Sequence, residues 1–256
     1  MLKSTRTQAA VAIMISSKDK IYAKTLAPKE DFKFDDAVAD VFDDMINRSV
    51  PGYRTITKIS GLIASIYSIP NSDLYDLGCS LGASTLEMRS QALPENCKIR
   101  AIDNSESMLK KCRQAVAEDK NDIPVEFQCI NLEDVIITNA SIVLLNWTLQ
   151  FIPTEKREQV IQNIYNGLLP GGVLLLSEKI LLEDSELNQI NIGLHESFKK
   201  ANGYSDLEIA RKRAALDNVL IPESLSQHKE RLLLCGFKNC DIWFRYFNFA
   251  SLIAIK

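Results

Sequence analysis

The stretch from residue 73 to residue 86 constrains this chain more than any other part of the sequence. It reads DLYDLGCSLGASTL, an apolar strand that enters a turn containing Gly78 and Gly82 and then a helix. A second strand follows and ends on Asp103. Glycine has no Cβ, so the turn lets backbone lie close to a ligand, and an acidic residue at the next strand end can accept hydrogen bonds from ribose hydroxyls. The pattern predicts an adenosine-containing ligand at the carboxyl edge of a parallel sheet.

The spacing of the turn differs from the dinucleotide fingerprint G-x-G-x-x-G. Ser80 stands where that fingerprint has its second glycine, which lets the backbone reach a pyrophosphate. The turn therefore favours S-adenosylmethionine over a nicotinamide cofactor. The alternative is an ordinary strand–turn–helix connection whose glycines serve packing alone.

Length and charge limit the class of protein. The chain has 256 residues, of which 46% are hydrophobic and 25% are charged. These values predict one α/β domain with one sizeable core. The net charge of -3 argues against a chain that phosphate contacts alone hold on nucleic acid. No segment approaches the roughly 20 apolar residues that span a bilayer.

Cysteine and histidine usage predicts the absence of a metal site. The six cysteines form no C-x-x-C pair, and the chain has only two histidines. Free cysteines inside predicted strands and helices are typical of a reducing, cytoplasmic compartment. Cys79 lies in the ligand turn, where we predict a packing residue that lends its backbone N–H and not a nucleophile.

The first part of the chain has the composition of a poorly ordered leader, over residues 1–34. Its apolar run 9–15 follows Lys3 and Arg6 and faintly resembles a signal peptide, but no small-x-small cleavage site comes after it. A disordered leader upstream of a true start at Met14 is the simpler interpretation.

Hydrophobic periodicity predicts alternating strands and helices over residues 35–256. The predicted strands lie near 73–77, 99–103, 124–130, 141–146, 172–178, 238–246 and 248–255. The predicted helices lie near 35–48, 56–66, 83–91, 105–118, 154–168 and 222–235, with a helical cap inserted at 184–218. Strands separated by helices of this length indicate βαβ crossovers. The prediction is a single Rossmann-like domain with a mostly parallel seven-stranded sheet and helices on both faces.

Four segments jointly resemble the class I S-adenosylmethionine-dependent methyltransferases. They are 76–82 (DLGCSLG), 101–104 (AIDN), 146–151 (NWTLQF) and 169–172 (LPGG). From about residue 34 to its end, the chain is similar throughout to the carboxy-S-adenosyl-L-methionine synthase family. Segments 48–53 (RSVPGY) and 200–205 (KANGYS) are not general features of the fold, and they make this resemblance specific.

The resemblance implies a reaction. Enzymes of that family convert S-adenosyl-L-methionine and prephenate to carboxy-S-adenosyl-L-methionine and phenylpyruvate. Their product is the donor for a tRNA carboxymethyltransferase that modifies the wobble uridine. The resemblance also implies a homodimer, with no direct contact to nucleic acid or membrane.

The turn and the following strand supply the first predicted ligand contacts. Gly78, Cys79 and Ser80 are expected to contact the methionine end of the ligand through backbone groups. Asp103 is expected to accept from the ribose hydroxyls, with Asn104 beside the adenine. An aspartate at a strand end also commonly caps the next helix, which is the alternative role of Asp103.

Two later strand ends supply further predicted contacts. Asn131 and Leu132 occupy the place where such folds hold the adenine, although family members often carry an acidic residue in place of Asn131. An asparagine side chain keeps one acceptor oxygen and adds an NH2 donor, so its contact with the ligand differs from that of an acidic residue. Asn146 ends the fourth strand at the switch point, where open α/β sheets bind ligands, or it caps the next turn.

Two contacts are implied by the family resemblance alone. Tyr53, in the turn between the first two helices, is expected to reach the ligand's carboxylate groups, although a tyrosine after Pro-Gly is usually a packed aromatic. Arg213 is expected to bind the carboxylate that distinguishes the carboxylated product, from the same chain or from the other subunit of a dimer. A guanidinium forms a planar fork that matches a carboxylate. The default for the run 211–213 (RKR) is a solvated helix face.

The residues that would bind prephenate stay open among Lys199, Lys200 and Tyr204. His195 and His228 are predicted to be surface or packing residues. Two other functions fit the same motifs. An ordinary small-molecule methyltransferase would produce S-adenosylhomocysteine, and a non-catalytic adenosyl-ligand sensor would bind without turnover.

Overall fold

A central sheet carries the architecture of this protein, and its strands follow the predicted alternation. The computed structural model describes residues 17–23 and 32–256. The strands are β1 (Asp73–Leu77), β2 (Lys98–Asp103), β3 (Val125–Cys129), β4 (Ala140–Asn146), β5 (Leu168–Leu181), β6 (Glu223–Ser224), β7 (Asn239–Tyr246) and β8 (Phe249–Ile255). The α-helices are α1 (Asp36–Ser49), α2 (Tyr53–Tyr67), α3 (Ala83–Arg89), α4 (Glu106–Glu118), α5 (Thr154–Gly167), α6 (Ser185–Ala201), α7 (Asp206–Leu216) and α8 (Leu225–Leu234).

The strand order is β3-β2-β1-β4-β5-β8-β7. The five strands from β3 to β5 pair in parallel, and β8 pairs antiparallel with both β5 and β7. The predicted mostly parallel sheet of seven strands is thereby confirmed, with the two-residue β6 as an unpredicted eighth strand beside the end of β5. The chain order reverses between β1 and β4, which is the position where open α/β sheets bind ligands.

Apolar side chains of the central strands alternate between two buried clusters. In β4, Val143 and Leu145 join one cluster, whereas Ile142 and Leu144 join the other. Successive side chains of a strand point to opposite faces of a sheet, and helices cover both faces of a parallel sheet. Both faces of β4 are therefore buried, which explains its uninterrupted apolar sequence.

Three predicted boundaries were wrong by several residues. The strand predicted from residue 172 begins at Leu168 because the residues before the glycines already pair with β4, with a register irregularity between the two stretches. Helix α8 begins at Leu225, after a capping box formed by Ser224 and Gln227. Helix α2 begins at Tyr53 and not at residue 56, so Tyr53 lies in the first turn of a helix.

The predicted cap forms two helices, α6 and α7. Each buries only one residue of its own, His195 in α6 and Ile209 in α7. The segment after α7 is fixed by the fully buried Arg157 of α5, whose Nη1 donates to Glu223 Oε2 at 2.6 Å and whose Nη2 donates to Ile221 O at 2.8 Å. The cap is therefore held at its end by polar contacts more than by apolar packing.

Part of the predicted leader is packed, which corrects the prediction for residues 17–23 and 32–34. Asp19 is buried, and its carboxylate accepts from the backbone N–H of Ile21 and from the Tyr204 hydroxyl. Phe32 is buried as well, and its N–H donates to Ala215 O at 3.1 Å. The rest of the leader, with the apolar run 9–15 and Met14, lies outside the described residues. In the part of the chain that the structure describes, no helix has the length and apolar character needed to cross a bilayer.

Candidate ligand-binding site

A cavity of about 770 Å³ opens at the carboxyl ends of the parallel strands, under α6 and α7. Its volume lies in the range of small-molecule sites, roughly 300–1,000 Å³. Nine of the ten predicted binding residues line it: Tyr53, Gly78, Cys79, Ser80, Asp103, Asn104, Leu132, Asn146 and Arg213. The tenth, Asn131, does not line it, and the other nine come from six separate segments of the chain that converge on one cavity.

The glycine turn after β1 is held in shape by the next strand. Gly78 has a φ of 76°, and a Cβ at this position would lie 2.3 Å from Thr148 Oγ1. The N–H groups of Gly78 and Cys79 donate to Ile102 O at 2.8 and 2.9 Å, and that of Ser80 donates to Asp103 Oδ2 at 2.9 Å. The expectation that the Cys79 N–H serves the ligand is therefore wrong in this structure. Among the other polar groups of the turn, the Cys79 carbonyl accepts from Gly82 N at 2.8 Å, and the Ser80 hydroxyl donates to Met108 Sδ at 3.6 Å.

Asp103 lies at the end of β2 and faces the cavity with a carboxylate that is already oriented. Its Oδ1 accepts from Ser105 N and its Oδ2 from Ser80 N, both at 2.9 Å. Burial raises the pKa of Asp103, and these backbone donors oppose the shift. The N-cap of α4 is Ser105, whose side chain accepts from Met108 N, so the alternative role of Asp103 as helix cap is wrong. Each carboxylate oxygen retains a lone pair for a further donor.

The predicted adenine contacts divide between the cavity wall and its rim. Asn104 and Leu132 line the cavity, whereas Asn131 is exposed and accepts from Asn104 Nδ2 at 3.2 Å. The third strand end therefore presents Leu132 and its neighbour Glu133 to the cavity, and Asn131 reaches it only through Asn104. Sequence position alone does not separate these roles because the side chains of successive residues point in different directions.

The end of β4 carries two buried polar atoms without a partner among the described residues. They are Asn146 Oδ1 and Trp147 Nε1. Both residues line the cavity, and Asn146 Nδ2 donates to Ser84 Oγ at 3.3 Å. Buried polar atoms are almost always hydrogen-bonded, so an unpaired acceptor and an unpaired donor on the wall point to a ligand that pairs with them.

The loop after β4 is positioned by Glu178 of β5. Glu178 Oε1 accepts from the N–H groups of Thr148 and Leu149 at 3.2 and 2.8 Å, and Oε2 accepts from Gln150 N at 3.2 Å. Burial raises the pKa of Glu178 to about 8, against these donors and Arg157, which lower it. Glu178 lies outside the cavity and acts through the loop that carries Trp147. Glu178 belongs to the segment 176–179 (LSEK), which resembles the family, but the sequence did not predict this role for it.

Tyr53 lines the cavity from the first turn of α2. Its ring lies 5.2 Å from that of Trp147, centroid to centroid. Burial, with Asp43 and Asp76 nearby, raises the pKa of the Tyr53 hydroxyl above its ordinary value, so this group remains a neutral donor. Burial also raises the pKa of Asp76 to about 6, although Thr85 Oγ1 donates to it at 2.6 Å. Asp76 is a cavity residue that we did not predict.

Cys79 is buried beside Cys112, and a hydrogen bond to Cys112 and burial hold the pKa of its thiol well above the usual range. A thiol that stays protonated is a poor nucleophile, in agreement with the predicted packing role. His195 and His228 are both buried and do not lie on the outer surface, and His195 also lines the cavity. Burial lowers the pKa of His195 to about 3, and its Nε2 lies 2.8 Å from Ser49 O. Among the described residues, no group of three or more His, Cys, Asp or Glu side chains is placed to hold a metal ion.

The cap contributes a basic wall. Arg213 lines the cavity of its own chain, has a side chain that is 51% exposed, and forms an ion pair with Glu196, another wall residue. Lys212 lines the cavity too, and its Nζ donates to Ser49 Oγ at 2.9 Å. The run 211–213 is therefore not simply a solvated face. Lys179 of β5 and Lys199 of α6 complete this wall.

Comparison with known proteins places the fold. A family model described as a methyltransferase domain matches residues 74–172. A putative S-adenosyl-L-methionine-dependent methyltransferase of Methanococcus maripaludis has a similar structure, with a TM-score of 0.59 and 18% identity over 89% of this chain and 95% of that one. Human N-acetylserotonin methyltransferase, solved in complex with SAM, gives a TM-score of 0.56 and 17% identity over 86% and 55% of the two chains. The fold is that of the class I S-adenosylmethionine-dependent methyltransferases.

Sequence comparison identifies the family within this class of proteins. A protein of Psychromonas ingrahamii named carboxy-S-adenosyl-L-methionine synthase is 51% identical over 242 residues, which cover 94% of this chain and 100% of that relative. A protein of Citrifermentans bemidjiense with the same name is 50% identical over 244 residues, or 95% and 100% of the two chains. The chain belongs to the carboxy-S-adenosyl-L-methionine synthase family. The alignments cover 242 and 244 of the 256 residues, so fewer than 34 residues lie outside them. The similarity therefore begins before residue 34, which is earlier than predicted.

Proposed function

We propose that this protein converts S-adenosyl-L-methionine and prephenate to carboxy-S-adenosyl-L-methionine and phenylpyruvate. The observation that carries the proposal is the full-length similarity, at about half identical residues, to proteins named for that product. The cavity supports it with an acidic end at Asp103 and a basic end at the cap, which suit a ribose and anionic groups respectively.

In this proposal Asp103 accepts from the ribose hydroxyls, and Asn104 and Leu132 border the adenine. The carbonyl oxygens of the 78–80 turn meet the ammonium group of the methionine end, because the N–H groups there are already engaged. Asn146 Oδ1, which is buried without a partner in the described structure, offers a partial negative charge to a nearby cationic group. Tyr53 donates its hydroxyl to a carboxylate.

The role of Arg213 is to recognise the carboxylate that a plain methyl donor lacks. In the structure its guanidinium is paired with Glu196 at the cavity wall. We propose that the carboxylate of the product competes for this guanidinium, since the planar fork suits either partner.

The chemistry balances without a further reactant. The ring carboxylate of prephenate leaves as carbon dioxide and its ring hydroxyl leaves as hydroxide, which gives phenylpyruvate. A proton from the sulfonium-bound methyl group neutralises the hydroxide to water, and a bond forms between that methyl carbon and carbon dioxide. The sulfonium charge favours loss of the proton, and the cap helices limit the access of water that would otherwise compete.

A labelling experiment tests the reaction. The protein is incubated with S-adenosyl-L-methionine and with prephenate that carries an isotope in its ring carboxylate, and the products are analysed by mass spectrometry. We expect the label in a product heavier than S-adenosylmethionine by one carboxyl group. Label that enters only from dissolved bicarbonate would reject the carbon dioxide transfer. Formation of S-adenosylhomocysteine would indicate an ordinary methyltransferase, and binding without turnover would indicate a ligand sensor.

The second test concerns Arg213. Arg213→Ala is expected to keep the affinity for S-adenosyl-L-methionine within about twofold and to weaken carboxy-S-adenosyl-L-methionine by roughly 10-fold or more, as for a lost hydrogen bond to a charged group. Arg213→Lys keeps the positive charge but not the planar fork, so its affinity for carboxy-S-adenosyl-L-methionine should lie between those of wild type and Arg213→Ala. Isothermal calorimetry with both ligands measures the difference, and equal losses for both ligands would defeat the assignment.

The wider role follows from the same family. We propose that the protein acts as a cytoplasmic homodimer and supplies the donor for carboxymethylation of wobble uridine in tRNA by a second enzyme. It needs no tRNA contact of its own in this role, in keeping with a net charge of -3.

A further inference from the structure

Three lysines from three different elements line the same end of the cavity. They are Lys179 of β5, Lys199 of α6 and Lys212 of α7. Among the residues that the structure describes, no carboxylate forms an ion pair with any of them, whereas the neighbouring Arg213 and Lys200 are both paired. Lys212 Nζ donates to the neutral Ser49 hydroxyl at 2.9 Å and lies 5.6 Å from the centre of the Tyr204 ring.

The three ammonium groups disfavour one another. Burial lowers the pKa of Lys212 to about 7 and that of Lys199 to about 8, and it lowers the pKa of Lys179 as well. Lys179 further lowers the pKa of Lys199, and neighbouring cations lower those of Lys179 and Lys212, whereas Asp217 raises the pKa of Lys179 and Asp19 and Asp44 raise that of Lys212. In the described structure these carboxylates form no ion pair with the lysines, and buried cations that lack one are costly, so an anionic ligand at this end would remove an unfavourable interaction.

The lysines lie at the far end of the cavity from the ribose site. Asp103 ends β2, whereas Lys179 lies on β5, three strand positions away. Neighbouring strands are about 4.8 Å apart, which separates the two positions by roughly 14 Å across the sheet. When an adenosyl group lies at Asp103, the basic end of the cavity therefore remains available to a second ligand or to another part of the two reacting molecules.

The other basic and hydroxyl groups of the cap are already committed. Lys200 is exposed and pairs with Asp206 at 2.5 Å. Tyr204 donates to Asp19 Oδ2 at 2.5 Å, and the Arg48 guanidinium lies 3.8 Å from the centre of its ring. Of the three residues that the sequence left open for the second substrate, the structure thus favours Lys199 over Lys200 and Tyr204. It adds Lys179 and Lys212, which the sequence did not indicate for this role.

We propose that Lys179, Lys199 and Lys212 bind the two carboxylates of the second substrate and select a dianion over a monoanion. The inference rests on the proposed function, in which that substrate is prephenate. Three positive charges on separate elements meet two carboxylates at once, and a monocarboxylate leaves part of the charge uncompensated.

Steady-state kinetics with lysine variants test the site. Lys199→Met and Lys212→Met remove one charge each and keep an unbranched side chain, and Lys200→Met is the matched control from the same cap. With S-adenosyl-L-methionine saturating, we expect the KM for prephenate to rise at least tenfold in each of the first two variants. The control should stay within twofold, and the affinity of all three for S-adenosyl-L-methionine, measured by calorimetry, should stay within twofold of wild type.

The outcomes separate this inference from the reaction itself. Wild-type protein that does not turn over prephenate would reject the proposed function and the site with it. Normal turnover with an unchanged KM in both variants would reject the lysine site alone. An equal loss of S-adenosyl-L-methionine affinity would assign the lysines to the adenosyl ligand and overturn the inference. The two variants test the site independently, and Lys199→Gln or Lys212→Gln, which also removes the charge, replaces any variant that does not fold.

Discussion

The two walls of the cavity satisfy their charged groups in opposite ways. On the wall formed by the strand ends, both oxygens of Asp103 and the N–H groups of the 78–80 turn have backbone or side-chain partners, and the unpaired atoms Asn146 Oδ1 and Trp147 Nε1 are neutral. The cap wall carries Lys179, Lys199 and Lys212 without a carboxylate partner among the described residues. The first wall is organised before any ligand arrives, and the second has charge that a ligand would neutralise.

The difference follows from how each wall is built. Strand β1 is buried along its whole length, so its following turn rests on a rigid core. Helices α6 and α7 bury one residue each, and contacts at their ends hold them in place. We expect the strand-end wall to tolerate little change and the cap wall to depend on a few polar anchors.

Removing the anchor of the cap should have the largest effect. Arg157→Met leaves the buried Glu223 with Arg231 as its remaining ion-pair partner and removes the donor of the Ile221, Ile152 and Gln150 carbonyls. Breaking a buried ion pair costs about 3–5 kcal/mol, and chemical denaturation should show a loss of that size. The neighbouring Lys156→Met removes an exposed pair with Glu133 and should cost roughly 0–1 kcal/mol. Similar values for the two variants would mean that the cap does not depend on Arg157.

The loop between the walls offers a pH test. Burial raises the pKa of Glu178 from 4.5 to about 8, so its protonated form is favoured by folding. The stability it contributes is fully present below pH 4.5 and is lost as the pH rises through about 8. Unfolding free energies measured from pH 5 to 9 should fall more steeply in wild type than in Glu178→Gln.

Glu178→Gln should also lower the free energy of unfolding at acidic pH by about 1–3 kcal/mol. The NH2 group of the new glutamine would face the N–H of Gln150, and two donors cannot form a hydrogen bond. A wild-type stability that instead rises with pH would show that the three N–H donors outweigh burial at Glu178.

A pair of glycines, of which Gly193 gives the smallest expected effect, sharpens the contrast between the walls. Gly78→Ala places a Cβ 2.3 Å from Thr148 Oγ1 at a φ of 76°, and should cost about 1–3 kcal/mol. Gly193→Ala, in α6, meets nothing within 4 Å and should stabilise by about 0.4–1 kcal/mol. Thermal unfolding of the two variants measures both, and equal shifts would contradict the rigid-turn argument.

The sequence predicted the strand-end wall well because its signals are local. Gly78, Ser80 and Asp103 belong to one strand–turn–helix–strand unit, and all three line the cavity. The wrong details there concern direction: the turn's N–H groups point to Ile102 and Asp103, and Asn131 faces the rim. Such details depend on the neighbouring strand, which a pattern along the chain does not contain.

The sequence by itself determined the fold, the glycine-containing turn at the end of the first strand and the helical character of the cap, because each depends on the periodicity and spacing of residues close together in the chain. Only the tertiary structure decided that Lys179, Lys199 and Lys212 face one space, that Glu178 orders a loop about 30 residues before it, and that Asp19 joins the cap. These groups are distant in sequence, and their charges interact only after the packing of sheet and helices has brought them together.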